Sequence, residues 1–175
     1  MYLNVKIHYV EKECAMDRAD VAIEQWARER PDLPPLPMAV LGRLSEVSER
    51  VMRDHLNPLF AAAGLQPGEF DVLATLRRSG EPYMLSPTRL YESAMISSGG
   101  MTNRIDRLEH AGLIERRPDP NDRRGKLIAL TAAGRRTIDE TITRHVANER
   151  QLLSVLTSTE QETLNALLRK LIAGL

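Results

Sequence analysis

LSPTRLYESAMISSGGMTNRIDRLEHAGLIERRPDPNDRRGKLIALTAAGRR, residues 85 to 136, is the stretch whose reading decides the fold. Ser86-Pro87 offers a capping hydroxyl followed by a proline suited to a first helical turn, which predicts a short helix to about Ser93. The pair Ser97-Ser98 is placed to cap a second helix, in which Met101, Ile105, Leu108 and Ala111 share one face and Gly112 supplies the stop. Leu113-Ile114 and Leu127 to Leu130 then read as short strands. Between them Arg116 to Lys126, with two prolines, an asparagine and a glycine, reads as a hairpin with an exposed basic end.

Helix, turn, helix and hairpin define a mainly α chain with a small β-hairpin wing, a winged helix-turn-helix. Its second helix has the diameter to enter a DNA major groove. Charge agrees with this placement. The whole chain is neutral, with 24 basic and 24 acidic side chains, yet residues 85 to 136 carry ten Lys or Arg against six Asp or Glu. The basic excess therefore sits where the fold would meet DNA.

The run Asp122-Arg123-Arg124-Gly125-Lys126-Leu127-Ile128-Ala129-Leu130-Thr131 resembles the wing signature of the MarR family of bacterial transcription regulators. Arg107 to Ile114 resembles the segment in which that family leaves its recognition helix and enters the wing, and the likeness extends over roughly residues 36 to 173. The resemblance implies dimerisation through the terminal helices, repression as the default activity, and an Asp122 that holds the signature arginine, Arg124.

Working outward, Asp17 caps a helix to about Glu29 with Ala19, Ala22, Ile23, Trp26 and Ala27 on one stripe. Pro31, Pro34, Pro35 and Pro37 read as a stiff connection to a long helix from about Met38, disturbed at Pro58 and ended at Gly64. A helix over Glu69 to Arg78 follows. Beyond the wing, Thr131 caps a long helix to about Leu153, and Thr157 with Glu160 forms a capping box for a last helix carrying Leu164, Leu168, Leu171 and Leu175. The expected organisation is an extension at 1–15, amino-terminal helices at 16–64 contributing to a ligand site and to dimerisation, the DNA-binding domain at 65–136, and carboxy-terminal dimerisation helices at 137–175. The terminal helices carry more apolar face than a small winged helix can bury, which points to a homodimer presenting two recognition helices to a pseudo-palindromic operator.

Candidate DNA contacts are Ser97, Ser98, Thr102, Asn103 and Arg107 on the recognition helix, since Asn and Arg bond bidentately to adenine and guanine while Ser and Thr also reach phosphates. Arg123, Arg124 and Lys126 on the wing are candidates for phosphate or minor-groove contacts. A second constellation is Trp26, Asp71, Arg104 and Arg116, in which two guanidinium forks, an indole and a carboxylate suit a flat, oxygen-rich anion such as a purine. Asp71 could equally brace the fold by pairing with one arginine. These four residues resemble those of the urate-responsive branch of the MarR family. That likeness implies that urate or a related purine displaces Asp71 and, through Arg104, shifts the recognition helix and releases DNA.

The four histidines are scattered, and no nucleophile motif, phosphate-cradling loop or metal-ligand spacing is present, so no catalysis, cofactor or metal is expected. Cys14 is the only cysteine, which excludes an intrachain disulfide and suggests a reducing, cytoplasmic setting without a membrane span. It also leaves an oxidant-sensing repressor acting through Cys14 as an alternative, beside a winged-helix protein-interaction module. Residues 1–15 allow either a short strand or an extension ahead of a start at Met16.

Overall fold

Asp17 begins the ordered reading of the chain by capping its first helix. The computed structural model describes residues 16–66, 68–95 and 100–175. They divide after Val51 into two compact units, each taken by itself.

The amino-terminal unit is a helix pair. In α1 (Arg18–Glu29) the Asp17 carboxylate accepts the Asp20 N–H at 2.9 Å and the Asp20 carboxylate accepts the Asp17 N–H at 3.1 Å, a reciprocal capping box. Helix α2 (Pro35–Arg50) starts earlier than Met38, because Pro35 occupies the first turn, where its missing N–H costs nothing. Two of the prolines read as connection therefore belong to the helix. Arg43 of α2 donates to Asp17 at 2.7 Å and to Asp20 at 2.5 Å, tying the two helices together. That hydrogen bond from Arg43, with a smaller contribution from the Asp20 N–H, holds the Asp17 carboxyl below its ordinary value.

The disturbance expected near Pro58 is a π-helical turn over Val51–Leu56, which leads into the second unit ahead of α3 (Asn57–Ala62). Pro58 has no N–H to give the Asp54 carbonyl and its ring crowds that carbonyl, so the preceding turn widens. Helices α4 (Glu69–Arg78), α5 (Pro87–Ser93) and α6 (Met101–His110) follow. Ser86 caps α5 as its sequence predicts, accepting the Arg89 N–H at 3.2 Å. Helix α6 departs from expectation. Its N-cap is Gly100, at φ 81°, a left-handed angle that glycine takes without strain, while the serine pair expected to cap it lies outside the described residues.

The wing is longer than the sequence suggests. Strands β2 (Ile114–Asp119) and β3 (Asp122–Leu130) pair antiparallel almost to their ends, leaving Pro120 and Asn121 as the turn. Strand β1 (Met84–Leu85), absent from the sequence reading, pairs with β3 through Met84 and Ala129 to give the sheet order β1-β3-β2. Two residues carry no readable alternation, so only the partner strand defines β1.

The core of this unit brings Leu73 and Leu76 of α4, Leu90 of α5 and Leu108 of α6 against Ile114 and Ile128 of the sheet, all nearly inaccessible to solvent. Ile138 adds α7 (Ala132–Leu152), capped by Thr131 as expected. After a 3-10 turn, α8 (Ser158–Ile172) begins with the Thr157 and Glu160 capping box and has no buried residue. Among the described residues no helix is long and apolar enough to cross a membrane.

Candidate nucleic-acid interface

Recognition helix α6 is amphipathic in the way groove insertion requires. Met101, Ile105 and Leu108 anchor one face in the core, while Thr102, Asn103, Asp106 and Arg107 are exposed on the other. Thr102 and Asn103 make no side-chain hydrogen bond among the described residues, so both remain available to base edges. Ser97, Ser98 and Cys14 lie outside the described residues. Arg107 is committed elsewhere, donating from Nε to Glu69 Oε1 at 2.7 Å.

On the wing, Arg123, Arg124 and Lys126 are exposed and their side chains form no ion pair among the described residues. Asp122 accepts the backbone N–H of Arg124 at 2.9 Å, and Asp119 that of Asn121 at 2.8 Å. Asp122 thus steadies the turn through the main chain, which leaves the Arg124 guanidinium outside the bond. Nearer the root, Arg116 is fully engaged. Its Nη2 donates to Asp106 Oδ1 at 2.5 Å, its Nη1 pairs with the Glu109 carboxylate, and its N–H reaches Glu109 Oε1 at 3.2 Å. The Asp106 hydrogen bond, followed by the charge of Glu109, raises the pKa of this guanidinium further above its already high ordinary value. Arg117 pairs with Glu115 at 2.5 Å.

The residues expected to hold a planar anion have the following places. Asp71 accepts the Met95 N–H at 2.8 Å and faces Arg78 at 3.8 Å, so it fastens α4 to the chain leading toward α6. Arg104 folds its side chain back over the turn before α4, so that a Cβ at Gly68 would lie 2.5 Å from its Nε. Arg116 is held by the two carboxylates of α6, and not by Asp71. Trp26 lies in the other unit, 48% exposed, lining a cleft between α1 and α2 with Ala22, Ile23, Met38 and Gly42. It is therefore no core residue of that helix pair. The pairings Glu69 with Arg107 and Arg116 with Asp106 and Glu109 escaped sequence reasoning. The one available hint was the three-residue interval that places Asp106 and Glu109 on a shared face of α6.

A winged helix with a free basic hairpin and an exposed polar helix face defines a DNA-binding module, and comparison with known proteins gives its lineage. Residues 63–125 match the MarR family model. The chain is 44% identical over 146 residues to the HTH-type transcriptional regulator PecS of Dickeya dadantii, covering 83% of this chain and 87% of that protein. It is 31% identical over 163 residues to the transcriptional repressor MprA of Escherichia coli, covering 91% and 92%. The crystal structure of a mutant MarR from E. coli complexed with operator DNA superposes with a TM-score of 0.66 at 27% identity, over 83% of this chain and 96% of that one. The chain belongs to the MarR family and is a DNA-binding transcriptional regulator, similar to PecS. Its relatives are regulators, which bears out the reading against catalysis.

Proposed function

We propose that this regulator is a homodimeric repressor, released from a pseudo-palindromic operator by urate or a related purine. The observation that carries the DNA half is the set of exposed wing cations Arg123, Arg124 and Lys126, without an ion pair among the described residues, beside exposed Thr102 and Asn103 on α6. Phosphate contacts from the former position the module and base contacts from the latter specify its site. Repression follows the similarity to MprA. Dimerisation is supported by α8, where Leu164, Leu167, Leu171 and Ile172 are 40 to 70% exposed. An amphipathic helix with its apolar stripe in water gains by burying it against a second copy, and two-fold symmetry then sets two recognition helices toward two half-sites.

The effector reading rests on Asp71 and Arg104, with Arg116, which an anion would have to draw from Asp106 and Glu109, and Trp26 of α1 joining them by their chemistry alone. Asp71 holds the Met95 N–H, and Arg104 sits on α6 itself, so an anion that recruits Arg104 and expels Asp71 acts directly on the approach to the recognition helix. Such a ligand must favour the form that does not bind DNA, and a tenfold loss of operator affinity corresponds to about 1.4 kcal/mol of coupling. The test is a mobility shift on the DNA immediately upstream of the protein's own gene, with and without urate. Urate is expected to release the DNA, with Asp71→Asn and Arg104→Ala blunting the response. Equal affinity with and without purine overturns the effector reading and leaves DNA binding standing.

A further inference from the structure

We infer that Arg107 and the buried Glu69 form a positioning pair that fixes the rotation of the recognition helix, and that Arg107 serves DNA binding through this pair and not by touching DNA. The inference is independent of the effector. Glu69 opens α4 and is only 4% exposed, the one ionisable residue among the described buried polar residues Glu69, Thr75 and Thr141. A buried carboxylate is tolerated only when its oxygens are matched. Here one oxygen accepts Arg107 Nε at 2.7 Å and the other accepts the Gln66 N–H at 2.6 Å. Both partners are donors, so the site demands an acceptor with two oxygens.

What this does for recognition follows from helix geometry. Met101, Ile105 and Leu108 hold α6 by apolar contact, which is strong but weakly directional. The bond from Arg107 is directional, because the guanidinium is planar and its Nε–H points one way. Asn103 lies four residues before Arg107 on the same face, so the pair that fixes Arg107 also fixes where Asn103 is aimed. Loss of the pair is expected to degrade discrimination among sequences more than the general attraction to DNA.

The test uses a duplex selected by the wild-type protein from a random pool, together with an unrelated duplex of equal length. Affinity for both is measured against KCl concentration for wild type, Arg107→Ala, Glu69→Gln and the double variant. In Glu69→Gln the amide must turn its NH2 toward one of the two donors, which breaks the arrangement without emptying the space. The expected result is a loss of about tenfold or more on the selected duplex for each single variant, with the salt slope and the unrelated duplex nearly unchanged. The double variant is expected to be no worse than the poorer single one. A salt slope lowered by about 0.9 in Arg107→Ala would make Arg107 a phosphate contact and overturn the inference. Wild-type selectivity in Glu69→Gln, or losses that multiply in the double variant, would overturn it as well. Arg107→Ala strands the buried Glu69 charge, whereas the double variant removes that charge together with its partner, so the salt slope and selectivity of the double variant decide the matter even where a single variant does not fold.

Discussion

The two halves of the wing carry cations of the same kind put to opposite uses. Near the root, Arg116 is enclosed by Asp106 and Glu109 and Arg117 by Glu115, so their charge is spent on holding the hairpin to α6 and on local neutralisation. Farther out, Arg123, Arg124 and Lys126 face solvent without a carboxylate partner among the described residues. A free cation releases counterions when it meets a phosphate, whereas a paired one first has to leave its partner. The basic excess of this region is therefore larger on paper than at the surface, and the DNA-directed share lies in the outer half.

Breaking the outer half has the largest expected effect. Replacing Arg123, Arg124 and Lys126 together with alanine is expected to weaken operator binding on the order of 100-fold at physiological salt and to flatten the salt slope by about 0.9 for each phosphate no longer neutralised. Thermal unfolding should shift by no more than about 0.5 kcal/mol, because none of the three is packed. Arg116→Ala comes next. It uncovers two carboxylates on the recognition helix, so operator affinity should fall about tenfold with little change of slope, while stability drops by about 1 kcal/mol at most for a pair a third exposed to solvent. Calorimetry and titration on the same variant separate the two effects.

Glu115→Gln sharpens the comparison in the other direction. It frees Arg117, and the salt slope should steepen by up to about 0.9 with a few-fold gain in affinity if a cation near the root can be converted to outer-half use. The smallest effect concerns a pair remote from DNA in the chain, Asp17 with Arg43. The Asp17 carboxyl is held below its ordinary value of 3.8, so its contribution to stability is present above 3.8 and is lost as the pH falls through the depressed value. Melting curves of wild type and Asp17→Asn should differ slightly at neutral pH and converge in strong acid, with the DNA salt slope unchanged throughout.

Most of the architecture was legible because local chemistry writes it. Asp17, Ser86, Thr131 and Thr157 each cap the helix their neighbours announce, and the apolar spacing of α6 is the face that it buries. What escaped was whatever depends on a distant partner. Strand β1 exists because β3 lies beside it, and the true N-cap of α6 depends on a backbone angle at Gly100 that no side-chain pattern reveals. The site was legible in kind and less so in detail. The free wing cations could be named from the hairpin alone, whereas the commitment of Arg107 to Glu69, 38 residues away in sequence, required the packed α4 and α6. Asp122 illustrates the intermediate case, foreseen as a brace but acting on the main chain of Arg124.

Gly134 sits in the first turn of α7 where any Cβ would collide with the Leu113 carbonyl at the foot of the wing, and the Thr131 hydroxyl bonds to the Gly112 carbonyl at 2.7 Å. Shaft and blade are thereby joined without a flexible joint. At 21 residues α7 extends roughly 31 Å from that weld. A tilt imposed at its far end would turn the hairpin through the same angle, and a bulkier residue at 134 would loosen the joint.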